Sequence, residues 1–279
     1  MTNTISNQTL FSFINFLREN EKSSKTVEKY VRDIRHFLKF LNGREPNRAL
    51  LLSYKSAIKE DYAVTSANSK IAAINSFFRF LKRDDLILKQ FKVQRKVFCS
   101  AEKELTKAEY FRLVNAAKNT GNRRLNLLMQ TVCSTGIRIS ELPFITVEAV
   151  ENLEAQVSLK GKNRVIFISP ALQKKLKQYI RDENIKSGPV FITKNGNPMN
   201  RSNIWREMKK LCALAGVSEN KVFPHNLRHL FARIFYGIEK DIIKLADILG
   251  HSNINTTRIY IMSSGEEHRK RIETMKLII

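Results

Sequence analysis

Five side chains in the second half of the chain have the types needed to break a phosphodiester bond, namely Arg138, His225, Arg228, His251 and Tyr260. A tyrosine hydroxyl can attack phosphorus to form a phosphotyrosine, which conserves the bond energy for later rejoining. Two arginines can grip the non-bridging oxygens of a phosphodiester and neutralise the transition state without a metal. Histidines can shuttle the proton of the nucleophile. Together these residue types could carry out phosphoryl transfer.

Two segments near the middle of the chain hold further candidates. In STGIRISEL, Arg138 and Glu141 stand one turn apart, which is also the spacing of an ordinary surface ion pair. The segment LKGKN separates two short β-type runs, which predicts a hairpin with Lys160 or Lys162 near its tip. A lysine on such a loop could protonate a leaving oxygen.

The segment PHNLRHLFA is predicted to be helical and contains two of the five side chains. His225 and Arg228 are three residues apart, so both project from one face of a helix. His225 and His229 have the spacing of a zinc-binding helix, but the residue after His225 is Asn226, so the glutamate of the HExxH motif is missing.

The segment DILGHSNINTTRIYIM places His251 directly after Gly250 and Tyr260 nine residues later. Gly250 fits the left-handed end of a helix, and the Asn and Thr residues supply caps and turns. A lone tyrosine more often packs its ring and exposes its hydroxyl than catalyses a reaction. The segment therefore gains a catalytic interpretation only in combination with the others.

In combination, the four segments resemble the tyrosine recombinase (phage integrase) superfamily, and within it the compact Xer-like members. The resemblance implies a catalytic set without cofactor or metal that consists of Arg138, Glu141, Lys160, His225, Arg228, His251 and the nucleophile Tyr260. The family hairpin usually reads GKGNKxR, whereas this chain has LKGKNRV. Lys162 therefore remains an alternative to Lys160 as the general acid.

Charge is the strongest feature of the composition. The 279 residues include 49 Lys and Arg against 26 Asp and Glu, a net charge of +23, and the excess is spread over both halves of the chain. Such a charge predicts a polyanionic partner, in the first place nucleic acid. Three cysteines form neither a disulfide framework nor a zinc spacing, and no apolar run is long enough to span a membrane. These features favour a cytoplasmic protein without a membrane segment.

The periodicity predicts a mainly helical chain with one small β-hairpin. The first ninety residues show helical spacing of apolar residues, including an aromatic stripe at Phe77, Phe78 and Phe80 that is expected in the core. We expect one helix to open with a serine cap in the segment SSKTVEK and to end at Gly43, and another to start from a cap at Thr65. Residues 91–102 are expected to form an extended linker without clean periodicity.

The resemblance covers nearly the whole chain and implies two domains. Residues 1–90 correspond to the helical, SAM-like core-binding domain, and residues 103–279 to the mostly helical α+β catalytic domain. Because few residues precede the first helix, we expect no counterpart of the additional arm-binding domain of larger phage integrases. The basic tail after Tyr260, with Ile272 and Met275, is expected to dock onto a neighbouring protomer or, alternatively, to pack on its own domain.

The expected function is site-specific recombination of duplex DNA through a 3′-phosphotyrosine intermediate, as integration, excision, resolution or inversion. The resemblance implies inverted half-sites, a dimer on each site and a tetramer on two, in the bacterial cytoplasm or nucleoid. Two alternatives are a type IB topoisomerase, which has similar catalytic residues but relaxes DNA as a monomer, and a DNA-binding protein without activity. The complete catalytic set argues against the second alternative.

Overall fold

The computed structural model describes residues 7–93, 101–159, 162–193, 195–261, 269 and 272–275. The chain divides into two compact units, Met1–Arg95 and Lys96–Ile279, and each has its own hydrophobic core. The described residues are mainly helical and include a two-stranded antiparallel sheet. The predicted fold class is therefore confirmed.

Four helices build the first unit, α1 (Asn7–Glu19), α2 (Ser24–Leu41), α3 (Arg48–Asp61) and α4 (Val64–Phe80). The second helix begins as its sequence predicts, because the side chain of Ser23 accepts a hydrogen bond from the backbone of Thr26. The aromatic stripe on α4 lies in the core, with Phe77 and Phe78 fully buried and the ring of Phe13 edge-on to Phe77 at 5.1 Å.

Two predicted helix ends need correction. The left-handed residue that ends α2 is Asn42, with φ of 49°, one residue before the predicted Gly43. Thr65 does not cap α4, because the carbonyl of Ala63 already accepts hydrogen bonds from the backbone of residues 66 and 67. The helix therefore begins earlier, and Thr65 lies in its first turn.

The predicted linker spans residues 91–102, and its first residue, Phe91, is hydrogen-bonded to the first unit. The side chain of Asn68 accepts a hydrogen bond from the backbone N–H of Phe91 at 2.8 Å and donates one to its carbonyl at 2.9 Å. Residues 94–100 of the linker lie outside the described residues. Ala101–Lys103 form a short 3₁₀ helix rather than extended chain.

The elements of the second unit surround α6, whose buried residues are apolar except for Thr131 and Thr135. They are α5 (Lys107–Asn119), α6 (Arg123–Thr135), a 3₁₀ helix (Ile139–Phe144), α7 (Val147–Glu151), β1 (Glu154–Leu159), β2 (Lys162–Phe167), α8 (Pro170–Asp182), α9 (Arg201–Lys210), α10 (Cys212–Ala215), α11 (Pro224–Glu239), α12 (Ile242–Leu249) and α13 (Ile254–Arg258). Helix α6 packs against α5, α8 and α11. It ends at Gly136, whose left-handed φ of 65° turns the chain towards Arg138.

The predicted hairpin is confirmed, but its connection is shorter than predicted. Strands β1 and β2 pair with Leu159 opposite Lys162 and Ser158 opposite Asn163, so the last two residues of KGKN belong to β2. Two-residue connections suit the twist of antiparallel strands. Residues 160 and 161, which join the strands, lie outside the described residues.

After Tyr260, the structure describes only residues 261, 269 and 272–275. Ile272 and Met275 are more than half exposed there, and the rest of the tail, including residues 276–279, lies outside the described residues. No helix among the residues that the structure describes combines the length and the apolarity that crossing a bilayer would require.

Candidate active site

Helix ends of the second unit hold the candidate residues. Arg138 follows the end of α6, and Glu141 lies in the 3₁₀ helix after it. His225 and Arg228 lie on the first turns of α11. His251 follows the end of α12, and Tyr260 lies just after α13. The structure brings these six residues together, while Lys160 lies outside the described residues.

The C-terminus of α12 binds three arginines through three consecutive backbone carbonyls. Arg164 Nη1 donates to Ile248 at 2.5 Å, Arg228 Nη2 to Leu249 at 2.7 Å, and Arg138 Nη2 to Gly250 at 3.1 Å. The last carbonyls of a helix lack partners within it and form the negative end of its dipole. The end of α12 therefore gathers and orients positive charge at one place.

Gly250 makes this arrangement possible in two ways. Its φ of 61° allows its N–H and that of His251 to donate hydrogen bonds to the carbonyl of Ala246. The carbonyls of residues 248–250 therefore remain available to the arginines. A Cβ at this position would lie 2.6 Å from Cδ of Arg164. The left-handed end that the sequence predicts at Gly250 is confirmed, and the close approach adds a second reason for glycine.

Glu141 is shared between two of the arginines. Its carboxylate is 3% exposed and accepts from Arg138 Nη1 at 2.8 Å and from Arg164 Nη2 at 2.5 Å, and also from the backbone N–H of Arg138 at 2.9 Å. Burial raises the pKa of this carboxyl, but the hydrogen bonds from Arg164 and Arg138 outweigh burial and hold the pKa below its usual range. The interpretation as an ordinary surface ion pair is therefore wrong.

Arg228 is the most deeply buried cation of the site, at 1% exposure. Besides its bond to Leu249, it donates to the carbonyl of Gly136 at 2.5 Å and to Nε2 of His251 at 2.9 Å. Its Nε is buried without a partner among the described residues. Burial, followed by the charge of Arg138, lowers the pKa of this guanidinium to about 10. An anionic oxygen that reached Arg228 would both satisfy this donor and offset the charge.

The contacts of His251 define its tautomer. Because Arg228 can only donate, Nε2 of His251 must accept, and the ring proton is therefore on Nδ1, which lies 2.9 Å from Oγ1 of Thr257. Burial, followed by the charge of Arg228, lowers the pKa of His251 to about 4. His251 is thus neutral at pH 7 and orients the guanidinium of Arg228.

Tyr260 packs among three imidazoles. Its ring centroid lies 4.1 Å from His229, 5.3 Å from His251 and 5.5 Å from His225, and the residue is only 4% exposed. Its hydroxyl lies 3.3 Å from Nε2 of His225, whose pKa is lowered by burial and then by the charge of Arg228. A neutral His225 can accept the hydroxyl proton. The tyrosine hydroxyl is therefore held within the protein by a potential base.

Neither candidate lysine has a described side chain. Lys160 lies outside the described residues, and Lys162 is described only as the first residue of β2. Lys160 therefore remains the predicted general acid, with Lys162 as the alternative.

Two residues of the site were not predicted from the sequence. Arg164 lies on β2, yet it contacts Glu141, 23 residues earlier, and Ile248, 84 residues later. His229 was considered only as a zinc ligand, but its ring lies 4.8 Å from His225 and burial lowers its pKa to about 3. The sequence signal for His229 is its position one turn after His225, and that for Arg164 is the NRV that follows the hairpin lysines.

A cavity of about 660 Å³ opens beside the arginines and is lined by Arg138, Glu141, Arg164, His251 and Ser252 among others. Its charged lining residues are two arginines, Arg138 and Arg164, and two carboxylates, Glu141 and Asp247, so its suitability for an anionic group such as a phosphate rests on the guanidinium donors and not on an excess of positive charge. Among the described residues, no cluster of three or more His, Cys, Asp or Glu side chains could hold a metal ion.

Sequence comparison relates both units to known families. Residues 103–267 match the phage integrase family, and residues 10–85 match the N-terminal SAM-like domain of phage integrases. The tyrosine recombinase XerA of Pyrococcus horikoshii is 29% identical over 98% of this chain and 95% of that protein. XerD of Halalkalibacterium halodurans is 27% identical over 91% of this chain and 92% of that protein.

Solved structures share the fold. A lambda integrase fragment crystallised as a dimer bound to a core site has a TM-score of 0.75 at 16% identity, over 93% of this chain and 96% of that one. XerH bound to its difH substrate in a post-cleavage complex has a TM-score of 0.73, also at 16% identity, over 98% of this chain and 90% of that one.

Proposed function

The chain belongs to the phage integrase family, and from this premise we propose that it is a site-specific tyrosine recombinase, which cleaves and rejoins duplex DNA through a 3′-phosphotyrosine intermediate. One observation carries the proposal: the hydroxyl of Tyr260 lies 3.3 Å from Nε2 of His225 on the same helix that supplies Arg228. A nucleophile, a base and a phosphate-binding cation thus meet at one point.

The cleavage step assigns one task to each side chain. The oxygen of Tyr260 forms a bond to phosphorus while the bond to the 5′-oxygen breaks, and His225 takes the proton of the tyrosine. The leaving 5′-oxygen receives a proton from the hairpin lysine, Lys160 or Lys162. Attack by a 5′-hydroxyl on the phosphotyrosine reverses each transfer and rejoins the strand, so no external energy source is needed.

The arginines stabilise the charge that develops on the phosphoryl oxygens. Arg138 and Arg228 offer guanidinium forks to these oxygens, and both are oriented before DNA binds by Glu141, His251 and the carbonyls at the end of α12. Since Tyr260 is only 4% exposed, a phosphodiester can contact it only after the segment around it shifts. Binding to the correct site would supply the energy for that shift.

Both units would contact the DNA. We assign residues 1–90 to the core-binding domain, residues 91–102 to the linker and residues 103–279 to the catalytic domain. In the first unit, Lys29, Arg32 and Lys70 line a concave face of α2 and α4 together with Asp33, which pairs with both lysines, and we propose that this face contacts phosphates. Together with the net charge of +23, these contacts predict affinity that falls steeply with salt.

The assembly follows from the reaction. Recombination requires four strand cleavages, so we propose a dimer on inverted half-sites and a tetramer on two sites, within the cytoplasm. The tail after Tyr260 would dock onto a neighbouring protomer through apolar residues such as Ile272 and Met275, which are exposed where the structure describes them. An apolar groove lined by Phe167, Phe231 and Phe235 is a suitable acceptor.

The test uses a pool of duplexes that carry inverted, randomised half-sites and a nick near the centre. The nick lets the short cleaved fragment diffuse away and so traps the covalent complex, which is isolated on a denaturing gel and sequenced. The proposal predicts enrichment of one inverted repeat and exchange of strands between two copies of it. Relaxation of supercoiled DNA without exchange would instead indicate a topoisomerase.

The tail is tested by removing residues 270–279. Docking predicts that binding to one half-site is preserved, whereas cooperative filling of the second half-site and recombination are lost. Packing of the tail on its own domain predicts a lower melting temperature and weaker binding even to one half-site. Unchanged cooperativity would rule out docking.

A further inference from the structure

A third arginine takes part in the arrangement of the site. Arg164 is held as firmly as the two candidate phosphate ligands, with 2.5 Å hydrogen bonds both to Glu141 and to the carbonyl of Ile248, and its side chain is 9% exposed. It lines the same cavity as Arg138. Burial of a guanidinium costs free energy, which the hydrogen bonds to Glu141 and Ile248 must offset.

The shared carboxylate indicates what Arg164 does there. Glu141 carries one negative charge and contacts two guanidinium groups, Arg138 on one oxygen and Arg164 on the other. Without Arg164, the pair of Arg138 and Glu141 would be neutral, and both carboxylate oxygens would compete with a phosphate for the fork of Arg138. With Arg164 present, the three groups carry one net positive charge.

From this geometry we infer that Arg164 is a positioning residue of the cleavage reaction, which engages one oxygen of Glu141 so that the charge and the free donors of Arg138 remain available to the scissile phosphate. Arg164 itself touches no reacting atom in this account. The inference rests on the proposed function, and it assigns to Arg164 an effect on Arg138 that is transmitted through Glu141.

The position of Arg164 on the hairpin gives its removal a second effect, and the experiment separates that effect from the one on Arg138. Because it lies on β2, two residues after Lys162, Arg164 also ties the hairpin to α12. Its loss could therefore displace the lysine that protonates the leaving oxygen. A substrate with a 5′-bridging phosphorothiolate has a leaving group that needs no proton, so it would rescue a defect in the lysine but not a defect in Arg138.

Arg124 provides a matched control within the same unit. It donates to a backbone carbonyl, that of Ile192, at 2.9 Å and to Glu207 at 3.3 Å, and its Nε is buried without a partner among the described residues, as is that of Arg164. Arg124 is not one of the candidate residues, and it does not line the cavity. Arg124→Gln therefore removes a similar ion pair away from the site.

The experiment measures single-turnover cleavage of the selected nicked duplex at saturating protein, together with half-site affinity and thermal melts. Arg164→Gln should cleave about 100-fold more slowly, which is the usual loss for one preorganised electrostatic contact, while its affinity for a half-site stays within about 3-fold because many other cations contact phosphates. Arg164→Lys restores the charge and should recover most of the rate. Arg124→Gln should cleave like the unmodified protein.

A double-variant cycle tests whether Arg164 acts through Glu141. If it does, Arg164→Gln should reduce the rate much less in a Glu141→Gln background than in the unmodified protein. Rescue of Arg164→Gln by the phosphorothiolate, equal rates for Arg164→Gln and Arg124→Gln, or fully additive losses in the cycle would each overturn the inference. Failure of the unmodified protein to cleave would instead refute the proposed function.

Discussion

Replacement of Gly250 by alanine tests how the end of α12 organises the site. The added methyl group meets two obstacles: the left-handed φ of 61°, and the side chain of Arg164, whose Cδ and Nε would lie 2.6 Å and 3.3 Å from it. Arg164 cannot simply swing away, because its guanidinium is bound to Glu141 and to Ile248. The methyl group must therefore displace either the arginine or the loop.

Gly216 separates these two effects. It ends α10 in the same conformation, with φ of 59°, but a Cβ there has nothing within 4 Å. An alanine in the left-handed region costs about 1 to 2 kcal/mol, which lowers the melting temperature of a domain of this size by roughly 2 to 4 °C per kcal/mol. Gly216→Ala should show this loss alone.

Gly250→Ala should lose more stability than Gly216→Ala, and it should also lose cleavage activity, which Gly216→Ala should retain. Breaking one hydrogen bond of Arg164 to a charged partner adds about 1.5 to 3 kcal/mol, so the melting temperature should fall roughly two to three times as far as in Gly216→Ala. Single-turnover cleavage should slow by about 100-fold, as expected for a lost electrostatic contact, and Gly216→Ala should cleave normally. Equal melting temperatures and equal rates for the two variants would refute the reasoning.

Three further predictions concern protons and metals. Burial, followed by the charge of Arg228, lowers the pKa of His251 from 6.5 to about 4, so the unfolded chain binds this proton at higher pH than the folded protein does. The urea concentration at the midpoint of unfolding should therefore decrease as the pH is lowered from 6.5 to 4, and it should decrease less in His251→Asn. A midpoint that does not change with pH in this range would contradict the prediction. Because arginines replace metal ions in the account, covalent complex should still form in excess EDTA, whereas its loss under chelation and return with magnesium would reject the prediction. The 5′-bridging phosphorothiolate should rescue Lys160→Ala and not Lys162→Ala, and the reverse pattern would identify Lys162 as the general acid.

The sequence predicted those parts of the structure that depend on neighbouring residues. Helix ends such as Gly250 and the cap at Ser23 follow from backbone geometry that a few adjacent residues determine. Thr65 was assigned wrongly because a cap depends on where the first helical hydrogen bond forms, and Ala63 accepts that bond. The hairpin was predicted, but its connection depends on strand pairing at Lys162, which spacing alone does not reveal.

The contacts that organise the site could not be predicted in this way. Arg164 bonds to the carboxylate of Glu141 and to the carbonyl of Ile248, which are remote from it in sequence, and although Glu141 was itself a candidate, no spacing pairs either partner with Arg164. The burial of Tyr260 among three histidines likewise depends on how α11, α12 and α13 pack. The sequence therefore indicated the chemistry, and the tertiary structure provided the positions.

The central claim is that Tyr260 is the nucleophile, and mapping the covalent link tests it most directly. The trapped protein–DNA complex is digested with protease and nuclease, and the peptide that carries the nucleotide is identified by mass spectrometry. The account predicts a nucleotide on Tyr260, and no complex with Tyr260→Phe although that variant binds DNA with unchanged affinity. A covalent complex that survives in Tyr260→Phe, or a nucleotide on any other residue, would contradict it.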